Sequence, residues 1–212
     1  MTTAHRAEPR VVLVTGASSG IGRATVLAAA AAGDHVVLVA RDESALIEVE
    51  KDCLTAGAAS TVVVRADVGE DDEVERCVRA ALRVSGSIDV VVNAAGVVAY
   101  GRTEEVPTEV FDGVLRTNVT GSVNVARHVL PVLRRQKCGV LLLVGSVIGH
   151  IAVPGMTPYV LSKWGVRALA RQLQLENRDL AHVHIVYAAP GGVDTPIYTQ
   201  AANYSGVIGQ IG

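Results

Sequence analysis

The 212-residue sequence is poor in aromatic side chains, which make up 3% of it, and it has no excess of either charge, with 19 basic and 21 acidic residues. A protein that reads nucleic acid generally carries a basic face and aromatic platforms on which bases stack, so we expect no nucleic-acid partner. The three cysteines, Cys53, Cys77 and Cys138, stand at wide and irregular spacings. That pattern is typical of free thiols in a reducing compartment.

The sequence also lacks the long apolar runs of a membrane protein. Polar residues and glycine interrupt its longest apolar stretches at 33–35 and 149–150, so no run reaches the length of about 18 residues that a spanning helix requires. The first ten residues include Glu8 and Pro9 and hold no apolar segment of the signal-peptide kind. We therefore expect a cytoplasmic protein with no membrane partner.

The sequence does contain an alternation of short β-branched runs with longer segments rich in Ala, Leu and charged residues. Half of the residues are apolar, and the runs are apolar along their whole length, as in strands covered on both faces. The predicted strands are Val11–Val14, Val36–Val39, Thr61–Val64, Val90–Val92, Val140–Val144 and Val183–Val186, and the predicted helices lie near 21–32, 44–56, 71–84, 108–135 and 157–178. This order indicates an α/β protein with a single doubly wound (Rossmann) parallel sheet and helices on both faces.

We place no domain boundary in the chain. No internal repeat, low-complexity tract or linker interrupts the alternation, so residues 1–212 are predicted to form a single dinucleotide-binding domain. Residues 1–9, which precede the first strand, are expected to be disordered.

The first predicted strand runs directly into a glycine-rich turn, Thr15-Gly16-Ala17-Ser18-Ser19-Gly20-Ile21-Gly22, and then into an Ala-rich helix. Glycine allows a tight turn, close approach of the backbone to a pyrophosphate, and close packing of helix on strand. The helix N-terminus adds free N–H groups and a positive partial charge. Placed between the first strand and the first helix of a βαβ unit, the turn predicts a dinucleotide phosphate site.

The residues after the second strand bear on which dinucleotide is bound. The strand ends at Ala40, where NAD-binding proteins commonly place an acid for the ribose hydroxyls, and Arg41 comes next. A guanidinium pairs with a 2′-phosphate, whereas an acid repels it, so Arg41 favours NADP(H) over NAD(H). Asp42 has the spacing from Gly22 of a ribose acid, but we expect it to cap the next helix.

Tyr159 and Lys163 stand four residues apart on the predicted helix 157–178, so they share one face. A unit charge about 4 Å away, at an effective dielectric constant near 20, is worth about 4 kcal/mol. That energy is enough to lower the pKa of a phenol from about 10 towards about 7. A tyrosine with such a pKa is a usable general acid or base near neutral pH.

Polar residues also follow the fourth and fifth predicted strands. Asn93-Ala94-Ala95-Gly96 comes after the fourth strand, and Ser146 comes after the fifth. In an open α/β sheet, ligands bind beyond the carboxyl ends of the strands. We therefore expect these residues to share one crevice with the glycine turn and Tyr159.

With these motifs, the chain resembles the classical short-chain dehydrogenase/reductases from about Val11 to Thr195. Tyr159 stands thirteen positions after Ser146, as in that family, and Ala94 stands where the family has a second asparagine. The residues that match its cofactor-binding motifs are Gly16, Ser18, Ser19, Gly20, Ile21, Asp67, Val68, Asn93, Ala94, Gly96, Pro190, Gly191, Val193 and Thr195. The residues that match its catalytic set are Asn118, Ser146, Tyr159 and Lys163, of which the last two would also contact the cofactor.

The resemblance implies hydride transfer between the nicotinamide of NAD(P)(H) and a ketone or secondary alcohol, with no metal. Tyr159 would be the general acid or base, and Lys163 would lower its pKa and bind the nicotinamide ribose. Ser146 would donate to the substrate oxygen, and Asn118 would hold a water that relays protons to Lys163. The alternative is an NADP(H)-binding sensor or scaffold without catalysis, although such proteins commonly lose the tyrosine or the lysine.

The resemblance also implies partners. Family members are dimers or tetramers packed through the helices near 108–135 and 157–178, so we expect a homodimer or homotetramer. The substrate would be a small carbonyl or alcohol. Apolar residues such as Val97, Ile148 and Ile197 near the expected pocket favour an apolar one.

Two departures from the family pattern stand out. Ser19 occupies the position where many NADP-using relatives carry a basic residue, so Arg41 alone argues for the phosphate. The sequence ends at Gly212, where relatives continue with a further helix and a seventh strand, so its C-terminal end is expected to be truncated. Residues 194–212 would then form a substrate loop or lid, or an exposed edge.

Overall fold

The structure of the protein, a computed structural model, describes residues 8–205. The strands are β1 (Val11–Thr15), β2 (His35–Ala40), β3 (Ser60–Arg65), β4 (Val90–Asn93), β5 (Ala99–Tyr100), β6 (Gly139–Val144), β7 (Val183–Ala188) and β8 (Ala202–Asn203). The helices are α1 (Gly20–Ala31), α2 (Glu43–Ala56), α3 (Asp71–Ser85), α4 (Thr108–Leu115), α5 (Gly121–Gln136) and α6 (Thr157–Glu176). Six of the strands belong to one sheet, and each of the six runs predicted from the sequence is one of them.

The sheet is parallel throughout, in the order β3-β2-β1-β4-β6-β7. The chain adds strands to one side of β1 as far as β3 and then returns to the other side with β4. The crevice between β1 and β4 is therefore the topological switch point, where open α/β sheets bind their ligands. The predicted doubly wound α/β fold is confirmed.

Both faces of the central strands are covered, which explains why β1 and β4 are apolar at every position before their last residues, Thr15 and Asn93. In β1, Val11 and Leu13 pack into one core together with α3, α5 and α6. Val12 and Val14 point the other way, into a second core with α1 and α2. Since successive residues of a strand face opposite sides of the sheet, an unbroken run of valine and leucine supplies both cores at once.

The predicted helix over 108–135 is wrong in one respect. Between α4 and α5 the backbone makes a single π-helical turn, Arg116–Thr120. At its centre the buried side chain of Asn118 accepts a hydrogen bond from the Val97 amide (2.9 Å) and donates to the Val97 carbonyl (2.9 Å) and to Ser162 Oγ (2.8 Å). The π turn therefore places the side-chain amide of Asn118 where all three hydrogen bonds can form. Such single π turns occur frequently at functional sites.

The segment after β7 folds back over the site instead of continuing the sheet. Its short strand β8 pairs in parallel with β5, and the Tyr204 amide donates to the Tyr100 carbonyl at 2.8 Å. Two-residue strands carry no periodic signal, so neither was predicted. Of the predicted lid 194–212, residues 206–212 lie outside the described residues, as do residues 1–7 of the segment expected to be disordered.

Helix α6 leaves several large apolar side chains on the surface, among them Leu161, Trp164 and Leu175, each about half exposed. The homodimer or homotetramer expected through this helix stays a prediction. Within residues 8–205, no helix has both the length and the apolar character needed to cross a membrane.

Candidate active site

A cleft of about 800 Å³ opens along the carboxyl edge of the sheet, at the ends of β1, β2, β4, β6 and β7. Motifs that are far apart in sequence meet there, because parallel strands all end at the same edge. The sequence-predicted residues that line the cleft are Gly16, Ser18, Ser19, Gly20, Ile21, Arg41, Asp67, Val68, Ala94, Gly96, Ser146, Tyr159, Lys163, Pro190, Gly191, Val193 and Thr195. Two predicted residues, Asn93 and Asn118, do not line it.

The glycine turn forms one wall of the cleft and has no room for side chains at two positions. Gly16 has a φ of +68°, and a Cβ there would lie 2.8 Å from the Ala95 amide nitrogen. A Cβ on Gly22 would collide with the carbonyl oxygen of Gly16. The turn is therefore wound tightly against the loop after β4, which brings backbone N–H groups to the cleft in place of side chains.

Helix α1 begins at this wall with its first N–H groups available to a ligand. The first N–H groups of a helix have no partner within it, and the Ser19 side chain makes no capping hydrogen bond to them. The first turn carries no acid, so nothing opposes an anion at the positive end of the helix dipole. Across the cleft, Thr195 stands so near that a Cβ on Gly20 would lie 3.1 Å from its side chain. This cradle fits the pyrophosphate of a dinucleotide.

Arg41 and Asp42 stand at the far end of the cleft, where β2 ends at Ala40. Asp42 accepts hydrogen bonds from the Ala45 amide (3.0 Å) and from Ser44 Oγ (2.7 Å), and so caps α2 as predicted. These two bonds hold the pKa of the Asp42 carboxyl below its usual range, with the Ser44 hydroxyl contributing most. The carboxylate already has partners, whereas Arg41 is exposed beside the cleft.

Asp67 and Val68 form the neighbouring part of the wall, after β3. One Asp67 carboxylate oxygen accepts from the Gly69 amide at 2.8 Å, and the Asp67 amide donates to the Glu73 carboxylate at 2.6 Å. The Val68 carbonyl accepts from the Asn124 side chain at 2.9 Å. Both residues are thus fixed by bonds to their own turn and to α5 before any ligand arrives.

Ser146, Tyr159 and Lys163 lie together at the opposite end of the cleft. Ser146 follows β6 and is 7% exposed; Lys163 is 5% exposed, one turn beyond Tyr159 on α6. The Ser146 hydroxyl stands near enough to the Tyr159 hydroxyl to lower its pKa as a hydrogen-bond partner. The Lys163 ammonium lies 5.5 Å from the centre of the Tyr159 ring and donates to the Val144 carbonyl at 3.0 Å. The predicted grouping of the three side chains is confirmed by this geometry.

The electrostatics of the pair differ from the sequence prediction. Burial raises the pKa of Tyr159 to about 12, and the hydrogen bond from Ser146 offsets this only in part. Burial also lowers the pKa of Lys163 to about 8. The expectation that Lys163 alone brings the phenol towards neutral pH is wrong, because the same burial that surrounds Tyr159 disfavours the charge on the lysine. With only the protein's own groups around it, Tyr159 is protonated at neutral pH.

Asn118 lies behind the catalytic group, 1% exposed. Gly96 separates it from Lys163: a Cβ on Gly96 would lie 3.4 Å from Asn118 Oδ1 and 3.6 Å from the Lys163 amine. The Asn118 carbonyl accepts from Ser122 Oγ at 2.6 Å. Asn118 therefore supports the loop after β4 and stands near Lys163 without reaching the cleft.

Asn93, whose contact with a cofactor stays a prediction, does not line the cleft. Its side chain is buried below the cleft, where it accepts a hydrogen bond from Thr15 Oγ1 (2.6 Å) and donates to Ser122 Oγ (2.8 Å). Asn93 sits in register with Thr15 on the neighbouring strand, so its amide turns sideways along the sheet and towards α5. Its role is to tie β1, β4 and α5 together beneath the loop that does line the cleft.

Several residues that line the cleft are not among the predicted site residues. They come from loops and from the ends of helices, where no motif marks them, and they include Thr117, Met156, Tyr198 and Gln200. The tail supplies the last two, because its pairing with β5 brings it over the cleft. Both lie within the predicted substrate loop or lid, residues 194–212, but the β5–β8 pairing that places them over the cleft has no signal in the sequence.

Comparison with known proteins agrees with this geometry. Residues 10–204 match the family model of the short chain dehydrogenases. The chain belongs to the short-chain dehydrogenase family. It is thereby a member of an oxidoreductase family whose fold and nucleotide-binding sheet it shares.

This short-chain dehydrogenase is similar in sequence to reductases that act on different substrates, as two relatives show. It is 33% identical to the 3-ketodihydrosphingosine reductase of Mus musculus over 189 residues, which are 87% of this chain and 57% of that enzyme. It is 31% identical to the NADPH-dependent pterin aldehyde reductase of Arabidopsis thaliana over 191 residues, 90% of this chain and 77% of that one. The chain thus spans less than three fifths of the length of the mouse reductase.

Solved structures show the same fold. A short-chain dehydrogenase/reductase from Burkholderia phymatum in complex with NAD superposes with a TM-score of 0.87 at 30% identity, covering 92% of this short-chain dehydrogenase and 70% of that chain. An alcohol dehydrogenase from the archaeon Thermococcus sibiricus, complexed with 5-hydroxy-NADP, has a TM-score of 0.83 at 31% identity, covering 92% and 81%.

Proposed function

We propose that this chain is an NADP(H)-dependent oxidoreductase that reduces a ketone to a secondary alcohol, or oxidises the alcohol, with Tyr159 as the general acid or base. The observation that carries the proposal is the meeting of Ser146, Tyr159 and Lys163 at one end of the cleft that the glycine cradle also lines. Packing alone does not explain three polar side chains at the end of a cleft that fits a dinucleotide.

The residues present fit a bound nicotinamide dinucleotide, which supplies the hydride when it is in place. Tyr159, protonated at neutral pH, gives its proton to the carbonyl oxygen as negative charge develops there. Ser146 donates a second hydrogen bond to the same oxygen, from a hydroxyl already oriented towards Tyr159. Because the phenol is held in its protonated form, it is ready at neutral pH to act as the general acid of reduction.

Lys163 has two tasks in this mechanism. Its amine binds the nicotinamide ribose, and it returns a proton to Tyr159 after each turnover. A pKa near 8 suits the second task, because a group that titrates near the working pH both gives and accepts protons readily. Asn118, fixed by Val97 and Ser162, holds the relay water beside Lys163 in the proposed mechanism.

The preference for NADP(H) rests on Arg41. The guanidinium is exposed at the end of the cleft, and the neighbouring Asp42 carboxylate is engaged at the start of α2. The relatives do not decide the question, since one solved structure is a complex with NAD and another with 5-hydroxy-NADP. The NADPH-dependent plant reductase supports the phosphate-bearing cofactor.

Replacing Arg41 measures that preference. In the Arg41→Ala variant, we expect the Kd for NADP⁺ to rise about 10- to 100-fold, the value of one charge-assisted contact to the 2′-phosphate, and the Kd for NAD⁺ to stay within about twofold. Arg65→Ala is the matched control, because Arg65 is also exposed at the end of a neighbouring strand but does not line the cleft. Tighter binding of NAD⁺ than of NADP⁺ by the unaltered protein would overturn the proposed preference.

The substrate end of the cleft is walled mainly by apolar groups. Around Tyr159 the lining comes from Ile148, Val153 and Met156, and the tail adds Ile197 and Tyr198. We propose that the substrate is a small carbonyl compound or alcohol with an apolar body, since such walls select by shape and desolvation.

A panel of apolar, polar and charged ketones tests the proposed function. With NADPH, we expect loss of absorbance for the apolar ketones, with kcat/KM at least about tenfold above that for charged ones of equal size. The Tyr159→Phe variant is the control for background oxidation. Binding of NADPH with no oxidation across the panel would contradict the proposal and favour the sensor or scaffold.

A further inference from the structure

Tyr187 lies directly behind Ser146 and is not part of the mechanism described above. It stands on β7 in register with Leu143 of β6, three residues before Ser146. Its ring packs against the core shared by the sheet with α5 and α6. From there its hydroxyl reaches the peptide groups of Ser146: it donates to the Ser146 carbonyl at 3.2 Å and accepts a longer bond from the Ser146 amide at 3.5 Å.

Two glycines make room for this phenol. A Cβ on Gly145 would collide with the edge of the Tyr187 ring, and a Cβ on Gly149 would collide with its hydroxyl oxygen. Gly145 and Gly149, which flank the turn that carries Ser146, thus leave the space that the Tyr187 side chain fills. Any larger residue at 145 or 149 would displace either the ring or the backbone that carries Ser146.

The rest of the turn is held by backbone bonds to the last residue of β7 and to the segment that follows it. The Gly145 amide donates to the Ala188 carbonyl at 2.7 Å, and the Val147 amide donates to the Pro190 carbonyl at 2.9 Å. Ser146 lies between these two bonds, and its own amide and carbonyl both contact Tyr187. Its side chain accepts from the Ile148 amide at 3.2 Å, and it lines the cleft together with Tyr159.

We propose that Tyr187 is a positioning residue, which fixes the backbone of Ser146 so that the serine hydroxyl faces Tyr159 and the substrate oxygen. The inference rests on the proposed function, because it assigns to Ser146 the hydrogen bond to that oxygen. A small rotation of the Ser146 peptide would turn the hydroxyl away from Tyr159, and the phenol of Tyr187 opposes that rotation through both peptide groups.

The Tyr187→Phe variant removes the hydroxyl and keeps the ring that fills the space beside the two glycines. We expect kcat for ketone reduction to fall about tenfold, the value of one typical hydrogen bond, with the Kd for NADPH within about twofold. In a Ser146→Ala background the same change should alter kcat less than about twofold, because the group that Tyr187 positions is gone. A tenfold loss in both backgrounds, or no loss in the first, would overturn the proposal.

Amide hydrogen exchange provides a second measurement that needs no turnover. In the Tyr187→Phe protein, exchange over residues 145–149 should be about tenfold faster, with β1 unchanged. Thr61→Val is the control, since it removes a hydroxyl that bonds to Glu50 at the other edge of the sheet. Unchanged exchange over 145–149 would refute the positioning role. The wild-type protein could also prove inactive while the Tyr187→Phe protein still exchanges faster over 145–149. That result would refute the proposed function and leave the positioning of Ser146 by Tyr187 intact.

Discussion

The Tyr159→Phe variant is expected to lose about a thousandfold in kcat for ketone reduction, within the range that a positioned general acid contributes. The phenol is held in its protonated form by burial, and it lines the cleft together with Ser146. Phenylalanine preserves the ring and its packing, so NADPH affinity should stay within about twofold. Stopped-flow measurement of NADPH oxidation, with titration of NADPH fluorescence, separates the two quantities.

The pH profile of the unaltered protein provides a check on the same group. Because burial raises the pKa of Tyr159 to about 12, its protonated form persists over the whole neutral range. Reduction should therefore not decline between about pH 6 and 8, whereas alcohol oxidation, which needs the phenolate, should rise with pH. Undiminished turnover in Tyr159→Phe would remove Tyr159 from the mechanism.

The Lys163→Met variant is expected to be more stable than the unaltered protein at neutral pH and to have lost turnover. Burial lowers the pKa of Lys163 from 10.5 to about 8, so the folded state carries the charge at a cost of about 3 kcal/mol below pH 8. Methionine removes that cost, but it also removes the hydrogen bond from Lys163 to the Val144 carbonyl, which contributes about 1 kcal/mol to stability. The net gain of about 2 kcal/mol corresponds to a Tm about 4–8 °C higher for a chain of this size.

The pH dependence of this gain has a definite sign. Between pH 8 and 10.5 the folded protein has released the lysine proton while the unfolded chain still holds it, so the unaltered protein gains stability as pH rises. The advantage of Lys163→Met should therefore be full at pH 7 and gone near pH 10.5. Urea unfolding at three pH values measures it. If the variant is less stable than the unaltered protein at pH 7, Lys163 stabilises the folded state and the predicted gain is wrong.

Much of the fold could be predicted because its signals are local. Unbroken runs such as Val36–Val39 suit only strands covered on both faces, and alternation with helices selects a parallel sheet. The site followed from the same logic, since the glycine turn and Ser146 both stand at strand ends. Even the capping of α2 by Asp42 could be inferred from its place just beyond the apolar run.

What the sequence did not reveal depends on contacts between distant segments. Asn93 matches a cofactor motif, yet its amide is taken by Thr15 and Ser122, and only the register of β1 with β4 shows this. The pKa of Tyr159 was misjudged because four-residue spacing gives the distance to Lys163 but not the depth of burial of either group. Burial is a property of the whole fold, and here it outweighs the local pair.

The strand order has a consequence for how the chain emerges from the ribosome. When β2 is synthesised, its partner β1 already exists, and β3 then pairs with β2. On the other side of the sheet, β4 pairs with β1, β6 with β4, and β7 with β6. In the six-stranded sheet, each strand after β1 therefore finds a partner that is already synthesised. A parallel sheet, whose pairings are all distant in sequence, can thus grow outward from its centre during synthesis, with a single open edge advancing at each step.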